Sequence, residues 1–93
     1  MVDRQHAVLS EAIRHYGKDN QLHVALEEMS ELQKELCKDL RGKGHLDAIA
    51  EEIADVEIML EQLKMIYHVG PQTTVWKNLK INRLNDRMKN GEG

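Results

Sequence analysis

Apolar residues recur at steps of three and four along most of the chain, which is the spacing of one helix face. Four helices follow from that pattern. The first is expected from about Asp3, as N-cap, to Tyr16, with His6, Leu9, Ile13 and Tyr16 at helical spacing and Gly17 as its stop. The second begins after a turn at Asp19 and Asn20. It carries Leu22, Ala25, Met29, Leu32, Leu36 and Leu40 as one stripe and ends in the flexible basic loop RGKG. The third covers about Leu46 to His68, where Leu46, Ile49, Ile53, Val56, Leu60, Leu63 and Tyr67 alternate three and four over three heptads before Gly70 and Pro71 stop it. The fourth spans about Thr74 to Lys89, capped by Thr73 or Thr74, with Val75, Leu79, Leu84 and Met88 as a thinner apolar edge and NGEG as a frayed tail. The fold class is therefore all-α, a four-helix, bundle-like single domain over residues 1–93. There is no low-complexity segment and no repeat beyond the acidic pairs described next.

Two acidic pairs interrupt these stripes: Glu28 with Glu31 on the second helix and Glu52 with Asp55 on the third. A three-residue step leaves both side chains of a pair on one face, about 60° apart and one turn up. A lone E-x-x-E means little, because surface helices are full of it. What distinguishes the second pair is its company. Ala48, Met59 and Ile66 lie within about 40° of Glu52 around the helix, so the carboxylates sit inside an apolar strip. Ile58 adds an apolar position on another side, which places the third helix at the centre of the fold or at a subunit interface. Glu28 and Glu31 share their face with Val24 and Glu35, at the edge of the leucine stripe. If the two helices pack antiparallel, four carboxylates converge, and such a site calls for a hard cation, Mg²⁺ or Mn²⁺, that takes oxygen ligands and leaves room for water and phosphate.

Composition narrows the setting. The chain has no Phe, one Pro and a net charge of −3, which favours helices and argues against general binding to a nucleic acid polymer. One cysteine, Cys37, excludes an internal disulfide and fits a reducing compartment. It lies away from the acidic face and is expected to be a small buried or interface residue rather than a nucleophile. No apolar run has the length of a membrane span, and MVDRQHAVLS turns polar too soon for a signal peptide, so the cytoplasm is the expected location and a membrane partner is not expected. A 93-residue domain leaves much surface exposed unless it associates with copies of itself, so a homodimer or homotetramer is expected.

Other chemistries fit less well. The five histidines are scattered and never follow an acidic residue of these helices by three, which excludes the di-iron bundle pattern, and one cysteine makes zinc a poor candidate. RGKG follows a helix and lacks the spacing of a phosphate-binding loop. On the fourth helix Lys77, Lys80, Arg83 and Arg87 fall within roughly 120° of one another and form a basic stripe that could face a polyphosphate. Gln21, at the start of the second helix, is a candidate hydrogen-bond partner for a base or sugar.

LEEMSEL, with Glu27, Glu28 and Glu31, and AEEIADVEIMLEQL, with Glu52 and Asp55, resemble the all-α nucleoside triphosphate pyrophosphohydrolases, the superfamily of MazG and the dimeric dUTPases. HYGKDNQLHVALEEMSEL is similar to the small MazG-like branch often found in phages and prophages, so the resemblance covers nearly the whole chain. It implies that Glu28, Glu31, Glu52 and Asp55 bind Mg²⁺ and that Lys80 and Arg83 of LKINRL supply the basic pair of a later helix. It also implies that the chain cleaves a nucleoside triphosphate, (d)NTP, to the monophosphate and pyrophosphate, in nucleotide-pool house-cleaning. Tyr16 and Trp76 are the large aromatic candidates near helix ends. The contrasting expectation is a non-catalytic helical oligomerisation or interaction module built on the three heptads.

Overall fold

The computed structural model describes residues 3–91, and among them it has four helices and no strand: α1 Arg4–Tyr16, α2 Lys18–Leu40, α3 Leu46–Tyr67 and α4 Gly70–Lys89. The all-α expectation holds. Met1, Val2, Glu92 and Gly93, the outermost residues of the N-terminal segment and of the NGEG tail, lie outside the described residues.

The capping residues explain where the helices start and stop. Asp3 caps α1 as expected, its carboxylate accepting the His6 N–H at 2.9 Å. Gly17, at φ 90°, then ends one helix and begins the next by itself. Its N–H donates to Ile13 at 2.9 Å and its carbonyl accepts from Gln21 at 3.1 Å. Asp19 and Asn20, expected in a turn, are therefore already helical, and Asp19 sits in the first turn of α2, where a negative charge suits the helix dipole. In the RGKG loop a side chain at Gly44 would place its Cβ 2.7 Å from the Asp39 Cα, so the chain turns tightly against the end of α2.

The junction of α3 and α4 also departs from expectation. His68, at φ 55°, ψ 43°, closes α3 in the left-handed conformation, and α4 starts at once, with Gly70 and Pro71 in its first turn. Proline costs nothing there because its missing N–H has no partner in a first turn. Thr73 and Thr74 are not caps; their hydroxyls donate back to Val69 at 2.7 Å and to Gly70 at 3.3 Å.

α2 and α3 run antiparallel and form the closest pair. The Lys18 ammonium lies 5.4 Å from the centre of the Tyr67 ring at one end, and Glu28 meets Asp55 midway. α1 packs on both, whereas α4 touches only α3, which therefore contacts every other helix and is central, as its apolar circumference implies. α4 does not close a four-helix bundle within the chain: every residue from Pro71 to Asn90 is exposed. The radius of gyration, 16.3 Å, exceeds the roughly 12 Å of a compact chain of this length.

Among the described residues only Gln21 and Ala25 of α2 and Met59 and Gln62 of α3 are buried. The α3 heptad stripe splits in two. Ile49, Val56 and Leu63 are half-buried, while Leu46, Ile53, Leu60 and Tyr67 face outward. The face of α3 that packs on α2 is the one bearing Ala48, Glu52, Asp55, Met59 and Ile66. Cys37, expected to be buried or at an interface, is exposed on the outer side of α2. No helix among the described residues is long and apolar enough to cross a membrane.

Candidate metal centre

The antiparallel pairing of α2 and α3 sets their acidic residues against each other. Glu28, Glu52 and Asp55, all half-buried, each offer a carboxylate oxygen, and these oxygens lie within 4.8 Å of one another. Glu31, on the same stretch of α2, is exposed and stands at the rim rather than in the triad, although its negative charge reaches both Glu28 and Glu52. Three of the four residues of the sequence motif are thus gathered, two from α3 and one from α2.

Among the described residues no Lys, Arg or His forms an ion pair with them. The ion pairs among the described residues are Arg14 with Glu11, Lys38 with Glu35 and Lys64 with Glu61, each within one helix. Glu35, which shares the α2 face, is paired with Lys38 at 3.1 Å and stands outside the triad. Repulsion in the triad is relieved by protons. A hydrogen bond to Asp55, followed by partial burial and by the charges of Asp55, Glu52 and Glu31, raises the Glu28 carboxyl from its usual 4.5 to about 7. Burial and the neighbouring acids, Asp55 first, also push Glu52 upward.

One atom marks the site most sharply. Glu52 Oε2 is shielded from solvent and has no hydrogen-bond partner. An orphaned carboxylate oxygen is costly, and it is the donor that a cation would satisfy. The donor set is entirely carboxylate oxygen, which suits Mg²⁺ or Mn²⁺ and does not suit a soft metal. Three ligands from the protein would leave further coordination positions of such an ion open.

The other expected residues lie elsewhere. Lys80 and Arg83 sit on the exposed helix α4, form no ion pair with the triad, and Lys80 stands 6.0 Å from the centre of the Trp76 ring. Lys77, Lys80, Arg87, Trp76 and Leu84 line an open groove along α4 itself. Gln21 is 6% exposed, on the inner face of α2 rather than open at a helix start. Gln62, which sequence reasoning missed, is 3% exposed and its Oε1 has no partner. The signal for it was present. Gln62 follows Asp55 by seven residues and Gln21 precedes Glu28 by seven, so in an antiparallel pair both amides fall about 10 Å along the axis from the carboxylates, at the same end.

No protein-family profile, curated protein or solved structure matches the chain.

Proposed function

We propose that the chain is a Mg²⁺-dependent nucleoside triphosphate pyrophosphohydrolase that converts a (d)NTP to the monophosphate and pyrophosphate. The observation that carries this reading is the meeting of Glu28, Glu52 and Asp55 across two helices, with Glu52 Oε2 buried and unpartnered and no ion pair to the triad among the described residues. Those three residues would hold the ion, with Glu31 at the rim. When bound, a divalent cation offsets the charge that develops on the phosphoryl oxygens and on the departing pyrophosphate, and it acidifies a bound water.

The residues of the chain supply the rest. Glu28, its carboxyl raised to about 7 beside Asp55, holds a proton up to near neutrality, and giving it up completes the negative cluster that would receive the ion. The carboxylates alone would repel a polyphosphate, so a basic partner is required. Lys80 and Arg83 are the candidates, and Arg83 can make a bidentate contact to a phosphate. They lie on the one helix that packs only on α3, so their approach to the cluster requires α4 to fold back or a neighbouring copy to present it. In the reaction a water oxygen forms a bond to the α phosphorus, the α–β anhydride bond breaks, and pyrophosphate leaves. Association into a homodimer or homotetramer and action in the cytoplasm belong to the same proposal, the latter in keeping with the lone, exposed Cys37.

The test is pyrophosphate release from a panel of canonical and damaged nucleoside triphosphates with Mg²⁺, with and without EDTA. Release that EDTA abolishes supports the reading. No release from any member of the panel overturns it and favours the non-catalytic helical module, which the exposed apolar seam of α3 would equally serve.

A further inference from the structure

α4 has no buried residue, although a helix gains most of its stability in a protein by packing an apolar face. Its exposed apolar side chains include Val75, Trp76 and Leu79. It also holds Lys77, Lys80, Arg83, Arg87 and Lys89 against one acid, Asp86, in a chain whose acidic triad forms no ion pair among the described residues. Apolar surface and charge both point to a seat for it beside the triad. The junction allows the movement. His68 and Val69 alone separate α3 from α4, and His68 already holds the left-handed conformation in which a chain reverses between helices.

Counting along a helical hairpin that turns at His68 and Val69 shows which residues meet. Asp55 stands thirteen residues before His68 and Arg83 fourteen after Val69, so the two come level. Gln62 stands six before and Trp76 seven after, so they also come level, nearer the turn. The same seven-residue step separates Glu28 from Gln21 on α2, Asp55 from Gln62 on α3 and Arg83 from Trp76 on α4. Such a step turns a side chain by only about 20° and moves it about 10 Å along the axis, so each helix presents both of its residues on one edge. The folded-back chain has two layers: carboxylates with Arg83, and carboxamides with Trp76. Val75 and Leu79, on the neighbouring edge of α4, come against Met65 and the exposed Ile58 of α3.

Gln62 is the residue that the metal centre leaves unexplained. It is 3% exposed with Oε1 unpartnered, a costly state for a carboxamide, and Gln21, level with it across the seam, is buried too. That oxygen calls for an N–H donor, and a carboxamide matches the donor-beside-acceptor edge of a nucleobase. Gln62 lies about 40° around α3 from Ile58, on the edge that α4 would cover, so its amide reaches a base there by turning outward. An indole stacks on the flat face of any base, and cations beside it suit the phosphates. The Lys80 ammonium stands 6.0 Å from the centre of the Trp76 ring, so the two share one face of α4.

We propose that α4 folds back on α3 about His68 and Val69 to complete a two-layered nucleotide site, in which Trp76 stacks on the nucleobase and Gln62 hydrogen-bonds its edge while Lys80 and Arg83 meet the phosphates at the acidic layer. This inference rests on the nucleotide reading above and adds to it the two residues that recognise the base.

The test uses the full chain with Cys37 replaced by Ser and does not depend on turnover. On mild oxidation Ile58→Cys with Leu79→Cys is expected to form a disulfide within one chain, at least about tenfold faster with Mg²⁺ and an α,β-imido deoxynucleoside triphosphate than without. Trp76 is the only tryptophan, so its fluorescence reports the site directly. Among the α,β-imido analogues of dUTP, dCTP, dATP and dGTP at least one is expected to quench it, whereas inorganic tripolyphosphate should not. Trp76→Ala and Gln62→Leu, followed by calorimetry, should each weaken binding of that analogue by about tenfold or more and leave tripolyphosphate binding unchanged. A disulfide that forms only between chains, or not at all, would overturn the proposal. So would equal quenching by nucleotide and tripolyphosphate, or equal losses of both ligands in the two variants. A chain that binds the nucleotide in this way yet releases no pyrophosphate would contradict the reaction proposed above and leave this site standing.

Discussion

The two sides of α3 are built in opposite ways. The side that packs on α2 carries Glu52 and Asp55 among Ala48, Met59 and Ile66, whereas the more exposed side carries the heptad row Leu46, Ile53, Leu60 and Tyr67. Greasiness alone would have assigned them the other way round. The comparison teaches that a small chain can give its best apolar seam to something outside itself and keep charge within, provided something neutralises that charge. In the metal-free chain the Glu28 carboxyl, raised to about 7 by its hydrogen bond to Asp55 and by the neighbouring acids, does so by holding its proton.

The comparison breaks most visibly if the inner charge is removed. Glu52→Gln or Asp55→Asn is expected to lower turnover by at least about a thousandfold at saturating Mg²⁺. The helical circular dichroism should stay intact, and the metal-free melting temperature should be unchanged or higher because repulsion is relieved. Near-wild-type turnover in both variants would refute the metal assignment. A smaller loss, about tenfold or more in kcat/KM, is expected for Lys80→Ala and Arg83→Ala, with Mn²⁺ affinity preserved because the carboxylates are untouched. Arg83→Lys should fall short of rescue, since a point charge does not reproduce a bidentate guanidinium. Should both alanine variants keep wild-type kinetics, the basic stripe of α4 is only a solvated face.

The pH dependence sharpens the comparison further. The Glu28 carboxyl is raised from 4.5 to about 7, so between those values the folded chain binds more protons than the unfolded one. Its contribution to stability is therefore complete below about 4.5 and is lost as pH rises toward about 7. Melting in EDTA across that range should show stability contributed by Glu28 declining with pH, and Glu28→Gln should flatten the trend; a rise with pH that depends on Glu28 would contradict it. The smallest effect is expected at Gln62. Replacing this buried, unpartnered amide by Leu should leave stability unchanged or raise it by about 1 kcal/mol, read from the urea midpoint, and should leave Mn²⁺ binding unaltered. A large loss of stability would mean that the Gln62 amide is satisfied in solution.

Much of this was legible from periodicity. The four helices, the Asp3 cap and the apolar company of Glu52 all follow from spacing at about 100° per residue. The errors have physical causes. Gly17 can end one helix and open another without a linker, which moved α2 forward over Asp19 and Asn20. Pro71 is as acceptable in a first turn as it is beyond a last one, so Gly70 and Pro71 read as a stop when they were a start. Glu31 looked equivalent to Glu28, but a three-residue step also rotates a side chain by about 60°, enough to leave it at the rim. The burial of Gln21 and Gln62 depends on the register between α2 and α3, and no single helix wheel contains that information. The path of α4 away from the triad was hidden for the same reason.

The account rests on the inner face of α2 and α3 gathering a divalent cation, and Mn²⁺ binding followed by electron paramagnetic resonance tests that most directly. The free-ion signal should fall on addition of wild-type chain, with affinity strengthening as pH rises toward and through about 7 and the Glu28 proton is released, and Glu52→Gln should abolish the effect. Equal Mn²⁺ binding by wild type and Glu52→Gln, or none by either, would contradict it.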